Sequence, residues 1–216
     1  MNAVRAPADA DSRERLLHAG LAVAQRVGIK AMTVRAVAAE AEANLGSFVY
    51  HFGSRDNFVE QLLERWYAPL FAGLRPIADA PGDPLEHLRQ AMMQLVRWLV
   101  QHRDFVAHLV LDAAAGEAGA ARFLASLEQR HPALLLQLIG QAQGAARLRR
   151  DEPLHQMLFL MSTLAVPVLM FHLLGQRGLA PPALVKALTR FSTDPAQVET
   201  RLGWALCGLA PEGEPA

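Results

Sequence analysis

The sequence predicts an all-α protein in which a small N-terminal domain of three helices precedes a larger helical domain. Apolar residues recur at intervals of three and four along most of the chain, which is the period of amphipathic helices. Alternating runs of β-branched and polar residues, which would indicate strands, are nearly absent. With 52% hydrophobic and 19% charged residues, the chain has enough apolar surface for a sizeable core, so disorder is expected only at the ends.

The charge balance and cysteine content exclude several classes of function for the chain as a whole. Lys and Arg number 21, as do Asp and Glu, so any contact with nucleic acid must be local. The single cysteine, Cys207, excludes an internal disulfide and a cysteine-based zinc site. Residues 1–15 lack the apolar segment of a secretory signal, and we therefore expect a cytoplasmic protein.

The N-terminal region contains the start and stop signals of three helices. A first helix is predicted at 11–27, with Gly28 at its C-terminal end. Thr33 is a good N-cap for a short second helix that ends after residue 40 or 41. Asn44 is the N-cap of an equally short helix at 45–51. Two short helices after a longer one have the size and order of a helix-turn-helix.

The rest of the chain is predicted to be helical with few breaks. We place a domain boundary after residue 56, which gives a DNA-binding candidate at 10–56 and a larger helical domain at 57–210. The further helices are expected at about 54–74, 83–101, 104–115, 120–146 with a break at Pro132, 151–174 and 194–209.

The short helix at 45–51 has one buried and one exposed direction. Phe48 and Phe52 define the buried direction, and Tyr50 points away from them. Gly46 and Ser47 are also exposed. Leu45, Val49 and His51 lie on the flanks of the helix, where they either pack against the protein or reach a base edge.

Three segments resemble the tetracycline-repressor family of bacterial transcriptional regulators. They read RERLL at 13–17, MTVRAVA at 32–38 and NLGSFVYHFGSRD at 44–56, in the order and spacing of that family. The resemblance covers roughly residues 11–65, and the remaining chain matches in helical pattern and length only. The resemblance implies a homodimeric, cytoplasmic repressor that binds a palindromic operator in double-stranded DNA.

The resemblance also implies which residues contact DNA. Thr33, Arg35 and Arg55 would position the protein by contacting DNA phosphates. Hydroxyl and ring donors of the helix at 45–51 would make further phosphate contacts. Base reading would fall to Leu45, Ser47, Val49 and Tyr50. The full set of expected DNA contacts is Thr33, Arg35, Asn44, Leu45, Gly46, Ser47, Val49, Tyr50, His51 and Arg55.

Two residues depart from the family pattern. Glu42 occupies the turn position where the family usually has glycine, and we expect backbone strain there. Leu45 stands where a polar or basic residue commonly enters the groove, so its readout can only be apolar, for instance against a thymine methyl. We interpret both as variation within the family.

The segment 153–176 contains no Asp, Glu, Lys or Arg and is long enough to span a bilayer. A membrane-associated helical protein is therefore an alternative. A buried helix fits better, because the segment contains His155, Pro167 and His172 and lacks an aromatic belt. The resemblance implies instead a dimer interface made by helices at about 152–174 and 194–209.

The resemblance further implies a ligand cavity in the second domain. The small number of charges indicates a small apolar or amphipathic effector. The candidate lining residues are Trp66, Met92, Met93, Val96, Phe105, Leu109, Phe123 and Phe159.

A metal site is a further alternative for the second domain, because Asp104, His108 and Asp112 share a helical face close to His102. Isolated His and Asp residues on a helix are more often solvated or hydrogen-bonded, so we expect no metal and no cofactor. The sequence contains no phosphate loop, nucleophile elbow or paired acid and base, and we expect no enzyme activity.

Overall fold

A computed structural model describes the backbone of residues 6–211 and the side chains of residues 11–211. In this part of the chain there are ten α-helices, one 3₁₀ turn and no strand, so the all-α prediction is confirmed. The helices are α1 (Ala6–Ala31), α2 (Val34–Glu40), α3 (Leu45–Phe52), α4 (Arg55–Asp79), α5 (Pro84–Ala114), α6 (Ala118–Ser126), α7 (His131–Gly144), α8 (Pro153–Gln176), α9 (Pro182–Thr193) and α10 (Pro195–Gly208), with the 3₁₀ turn at Leu127–Gln129.

Three helices are capped at their start by a side chain, two of them by the predicted N-caps Thr33 and Asn44. Thr33 Oγ1 accepts a backbone N–H of α2 at 3.1 Å, and Asn44 Oδ1 accepts one of α3 at 2.8 Å. Asp194 Oδ1 accepts two backbone N–H groups of α10, both at 3.1 Å. Each cap satisfies donors that lack a partner inside the helix, which is why these starts were predictable.

α1 and α4 are longer than predicted, and two further segments are divided differently from the prediction. The segments 83–101 and 104–115 form one continuous helix, α5, because Asp104 does not cap a helix start. Its carboxylate instead accepts a hydrogen bond from the Gln176 amide at 3.0 Å and pairs with His172 Nε2 at 3.0 Å. The segment 120–146 is divided into α6, the 3₁₀ turn and α7, with Pro132 in the first turn of α7, where a missing N–H costs nothing.

The helix α9 was not predicted. It begins at Pro182, directly after Pro181, and its half-buried side chains include Val185 and Leu188. Prolines at the first helical turn followed by apolar residues three apart are a start signal.

The described residues form two compact units. Unit 1 comprises the chain up to Pro69 together with Ala107–Ser126, and unit 2 comprises Leu70–Val106 and the chain from Leu127 onward. The boundary predicted after residue 56 falls inside α4 and within unit 1. A functional division at that residue stays a prediction.

An aromatic cluster holds the helices of unit 1 together. The ring of Phe58, from α4, lies 4.9 Å from that of Phe48 and 4.8 Å from that of Phe52, both on α3. All three rings are buried, as predicted for the two on α3. On α1, a Cβ at Gly20 would overlap the Phe58 ring, so the missing side chain permits this close approach.

In unit 2, α8 packs against α7, α9 and α10. One side of α8 is buried, with Leu160, Leu164 and Val168, whereas Leu158 and Met170 are exposed. Within the single chain α8 is therefore buried on one side, and burial of its other side in a dimer stays a prediction. By length and composition α8 is the one described helix that could cross a membrane, with a mean hydropathy of 2.1 and 28% of its apolar window buried.

The substitution Gly20→Ala should destabilise the protein by about 2 kcal/mol, because the added methyl group overpacks a ring that has no room to move. Chemical denaturation followed by circular dichroism measures the change. Gly140→Ala is the matched control: a Cβ there meets nothing within 4 Å, so the helix should gain about 0.5–1 kcal/mol. Equal effects of the two substitutions would contradict the close approach of Gly20 to Phe58.

Candidate nucleic-acid interface

The exposed face of α3 is predominantly apolar. Leu45 is 45% exposed, Val49 58% and Tyr50 73%, whereas Phe48 and Phe52 of the same helix are almost fully buried. Gly46 is exposed beside them. The burial of Phe48 and Phe52 and the exposure of Gly46 and Tyr50 are as predicted. Leu45 and Val49, whose packing the sequence leaves open, are exposed, whereas Ser47, which was predicted to be exposed, is half-buried.

The N-terminal end of α3 is held by its cap and by α1. The Asn44 side chain accepts the N–H of Ser47, and the Ser47 hydroxyl is 2.9 Å from the Ser12 hydroxyl of α1. A Cβ at Gly46 would lie 3.2 Å from Asn44 Oδ1, so glycine leaves room for the capping amide. Ser47 is thus half-buried and bonded within the protein, and Ser12 is a partner that sequence reasoning missed.

Two aromatic side chains near the end of α3, Tyr50 and His51, contact each other. The rings of Tyr50 and His51 are 5.0 Å apart in an edge-on arrangement, and His51 also lies 6.1 Å from the ring of Phe52. His51 is half-buried as a result, whereas Tyr50 extends outward. The structure therefore brings Leu45, Gly46, Val49 and Tyr50 together on one exposed surface, which we call the α3 face.

Most arginines of unit 1 near α1 are paired with acidic side chains. Arg26 bonds Glu40 at 2.7 Å, Arg15 bonds Asp11 at 3.2 Å, and Arg65 forms an ion pair with Glu14. The hydrogen bond and charge of Arg26 hold the pKa of Glu40 below its ordinary value. Arg35 on α2 is exposed and has no ion pair or hydrogen bond within residues 11–211. It is therefore a cation available to an external anion.

The turn between α2 and α3 contains the strain predicted for Glu42. Its φ is +49°, in the left-handed region that favours glycine. The Glu42 N–H donates to the carbonyl of Ala39 at 3.2 Å, and the Ala43 N–H donates to that of Ala38 at 2.9 Å. These two bonds form a Schellman motif, which satisfies the end of α2 and compensates part of the strain.

Arg55 bonds to protein groups, in contrast to Arg35. Its Nη2 donates to the carbonyl of Ile29 at 2.5 Å, and its Nε donates to that of Met32 at 3.1 Å. Its Nη1 pairs with Glu117 Oε1 at 3.2 Å, and the side chains of Arg55 and Glu117 are only 29% and 12% exposed. This arrangement favours a positioning role, so the predicted phosphate contact of Arg55 stays a prediction.

A second anchor holds the same connection between α1 and α2. Asp112 of α5 accepts the backbone N–H of Lys30 at 3.1 Å, and Lys30 Nζ donates to the carbonyl of Ala115 at 2.9 Å. Gly28 has a φ of +82°, and a Cβ there would lie 2.7 Å from Asp112 Oδ2. Neither anchor was predicted, because the bonded residues are between 23 and 85 residues apart along the chain.

The metal alternative is not supported by the geometry. No group of three or more His, Cys, Asp or Glu side chains among the described residues is arranged to hold a metal ion. Asp112 bonds Lys30, Asp104 pairs with His172, and the His102 ring stacks on Trp98 at 4.6 Å. Burial lowers the pKa of His102.

The predicted ligand-lining residues are divided between the two units, and their role stays a prediction. Within unit 1, Trp66 and Phe123 are buried with their rings 6.3 Å apart, and Leu109 is buried. Within unit 2, Met92 and Phe105 are core residues, and Phe159 is 45% exposed. Met93 and Val96 line a cavity of about 190 Å³.

The N-terminal helices match a known family of proteins. Residues 16–62 match the model of the N-terminal domain of the tetR family, described as bacterial regulatory proteins. The N-terminal domain of this chain is a tetR-family domain. The match includes α2, α3 and the start of α4, and therefore the α3 face, the Glu42 turn and Arg55.

Curated relatives share about half of the chain. The HTH-type transcriptional repressor KstR2 of Mycobacterium tuberculosis is 33% identical over 111 residues, which are 51% of this chain and 55% of the relative. The KstR2 of Mycolicibacterium smegmatis is 33% identical over 105 residues, or 49% of this chain and 51% of the relative. The chain thus spans about half the length of the curated relatives it matches.

Solved structures share the fold over most of the chain. A SmeT–triclosan complex superimposes with a TM-score of 0.71 at 20% identity and covers 95% of this chain and 99% of that one. A TetR-like transcriptional regulator from Rhodococcus sp. RHA1 has a TM-score of 0.62 at 16% identity, with coverages of 91% and 93%. The all-α fold with an N-terminal helix-turn-helix is therefore that of tetR-type regulators.

Replacing Glu42 with glycine should stabilise the tetR-family domain by about 0.5–1 kcal/mol, because glycine adopts the left-handed conformation without a steric penalty. Glu42→Ala is the control: it removes the same charge but keeps a Cβ, so the free energy of unfolding should change little. Urea titration of both variants measures the difference. A gain in stability for Glu42→Ala as large as that for Glu42→Gly would assign the effect to charge instead of strain.

Arg55→Ala should lower the free energy of unfolding by about 2–3 kcal/mol, because it leaves Glu117 and two carbonyls of the α1–α2 connection without their donor. Arg15→Ala removes an exposed arginine that pairs with Asp11, and it should cost less than about 1 kcal/mol. The same urea titration compares the two. If Arg55→Ala were as mild as Arg15→Ala, the anchoring role of Arg55 would be rejected.

Proposed function

We propose that the chain is a homodimeric, ligand-responsive DNA-binding transcriptional regulator of the cytoplasm. In this proposal it acts as a repressor that leaves a palindromic operator when a small apolar effector binds. The α3 face carries the proposal, because it projects from a tetR-family domain and has exposed side chains with no role in the core. The second helix of a helix-turn-helix is the one that enters the major groove.

Base reading by the α3 face would be largely apolar. Leu45 and Val49 have no donor or acceptor in their side chains, so they would recognise thymine methyl groups, and Tyr50 would add a hydroxyl. Gly46 lets the backbone of α3 approach the DNA. The proposed operator therefore has A·T pairs at the positions that face the start of α3.

Phosphate contacts would come from few groups. Arg35 is exposed and unpaired among the described side chains, and Thr33 lies next to the N-terminus of α2, where backbone N–H groups favour an anion. The other arginines of the first three helices are neutralised by acidic partners. The dependence of DNA affinity on salt should therefore be modest for each subunit.

A dimer interface on α8 and α10 would explain the exposed apolar residues of unit 2. On α8, the exposed residues Phe159, Val166 and Met170 follow one another at intervals of seven and four, so they lie on one face of the helix. On α10, Trp204 is 69% exposed. An isologous interface that covers this surface would provide the two-fold symmetry of a palindromic operator.

The effector response would be a shift between two populations. An effector releases the operator only if it binds the conformation that cannot bind DNA better than the one that can. The buried residues predicted as lining, such as Met92 and Phe105, supply an apolar interior, and Met93 and Val96 border an existing cavity. In the SmeT structure the bound molecule is triclosan, which is consistent with a small apolar effector.

The deciding experiment is selection of bound sequences from a random duplex library, with gel-filtration mass measured on the same sample. We expect a palindrome whose half-sites are about one helical turn apart, bound by a dimer. Val49→Ala should weaken binding to that sequence by about threefold to tenfold and relax the preference for thymine. Val27→Ala is the matched control, since Val27 is an exposed valine on α1, 47% exposed, outside the α3 face.

Two results would contradict the proposal. One is the absence of any enriched sequence from a folded dimer that carries no bound ligand. The other is an equal effect of Val49→Ala and Val27→Ala on operator affinity, because the α3 face would then not read the DNA.

A further inference from the structure

A small cavity in unit 2 lies between α5 and the junction of α9 and α10. Its volume is about 190 Å³, and eight residues line it: Met93, Val96, Arg97, Val100, Gln101, Thr193, Pro195 and Val198. Met93, Val96 and Val198 belong to the buried core, whereas Arg97 and Gln101 are exposed to solvent. The cavity thus has an apolar wall and a polar side that faces solvent.

The polar side is cationic. Arg97 is the one charged residue among the eight that line the cavity, and Gln101 follows it by one helical turn on α5. Neither side chain has an ion pair or hydrogen bond within residues 11–211. Asp194, the nearby acid, is engaged as the N-cap of α10 and does not line the cavity. An anion at Arg97 would therefore meet a cation that has no protein partner.

The volume limits the size of the ligand. An apolar cavity of about 150 Å³ holds a benzene ring, whereas drug-sized ligands occupy about 300–1,000 Å³. A cavity of about 190 Å³ fits one ring or a short alkyl chain. The carboxylate of such a molecule would extend toward Arg97 and Gln101, since a charged group stays hydrated or paired.

We propose that this cavity binds a small carboxylic acid with one ring or a short alkyl tail. The apolar part lies against Met93, Val96 and Val198, and the carboxylate accepts hydrogen bonds from Arg97 and Gln101. That this ligand releases DNA rests on the proposed function; its binding to the cavity does not.

The test is isothermal titration calorimetry of the full chain with benzoate, in the absence of DNA. Benzoate should bind once per chain with a Kd on the order of 1 mM or tighter. Arg97→Gln should weaken binding roughly tenfold, because it removes a charge-assisted hydrogen bond. Arg150→Gln, which replaces an exposed arginine outside the cavity, should leave the affinity unchanged.

Two further measurements locate the site and its charge preference. Val100→Phe should fill the cavity and abolish binding in a protein with an unchanged circular dichroism spectrum. Benzylamine, which has the same ring with a cationic group, should not bind detectably. The proposal is overturned if benzoate does not bind, if Arg97→Gln and Arg150→Gln have the same affinity, or if benzylamine binds as tightly as benzoate.

The outcomes separate this inference from the proposed function. If the chain binds an operator but titration with benzoate produces no heat of binding, the proposed ligand class is rejected and the proposed regulator function is retained. Benzoate binding that responds to Arg97→Gln, in a chain that selects no DNA sequence, retains the site and rejects the regulator.

Discussion

The packing of the Phe58 ring against α1 and α3 is the constraint on which the N-terminal unit depends. Phe48 and Phe52 turn toward Phe58, so geometry leaves the intervening Val49 and Tyr50 on the opposite side of α3. Gly20 makes the approach of α1 possible, because any side chain would displace the ring. The orientation of the α3 face is thus a consequence of how three rings pack in the core.

A second layer of polar interactions holds the connection between α1 and α2. Arg55 is the first residue of α4, a helix end where the backbone dipole disfavours a cation. The ion pair with Glu117 and the two carbonyl acceptors offset that cost. Asp112 holds the same connection through the backbone of Lys30. The connection that leads into α2 is therefore held by bonds to α5 and to the connection between α5 and α6.

Local features of the fold were predictable, because they are encoded over three or four residues. Thr33, Asn44 and Asp194 cap helices through neighbours in sequence, and the Phe48–Phe52 spacing alone identifies the buried side of α3. Long-range pairs were not predictable from one sequence. A helix start was predicted at residue 104, but Asp104 bonds His172 and Gln176, which are supplied by α8. The exposed side of α8 could not be predicted, because a helix that is apolar on all sides has no amphipathic pattern.

The apolar surface of α8 has a consequence for the synthesis of the chain. α8 leaves the ribosome before α9 and α10, the two helices that later pack against it. For that interval an uncharged helix with the hydropathy of a membrane span is covered only by parts of the chain that precede it, such as α7. Nascent chains are then exposed to aggregation and to capture by chaperones. The sooner α9 and α10 follow, the shorter is the exposure of this apolar surface.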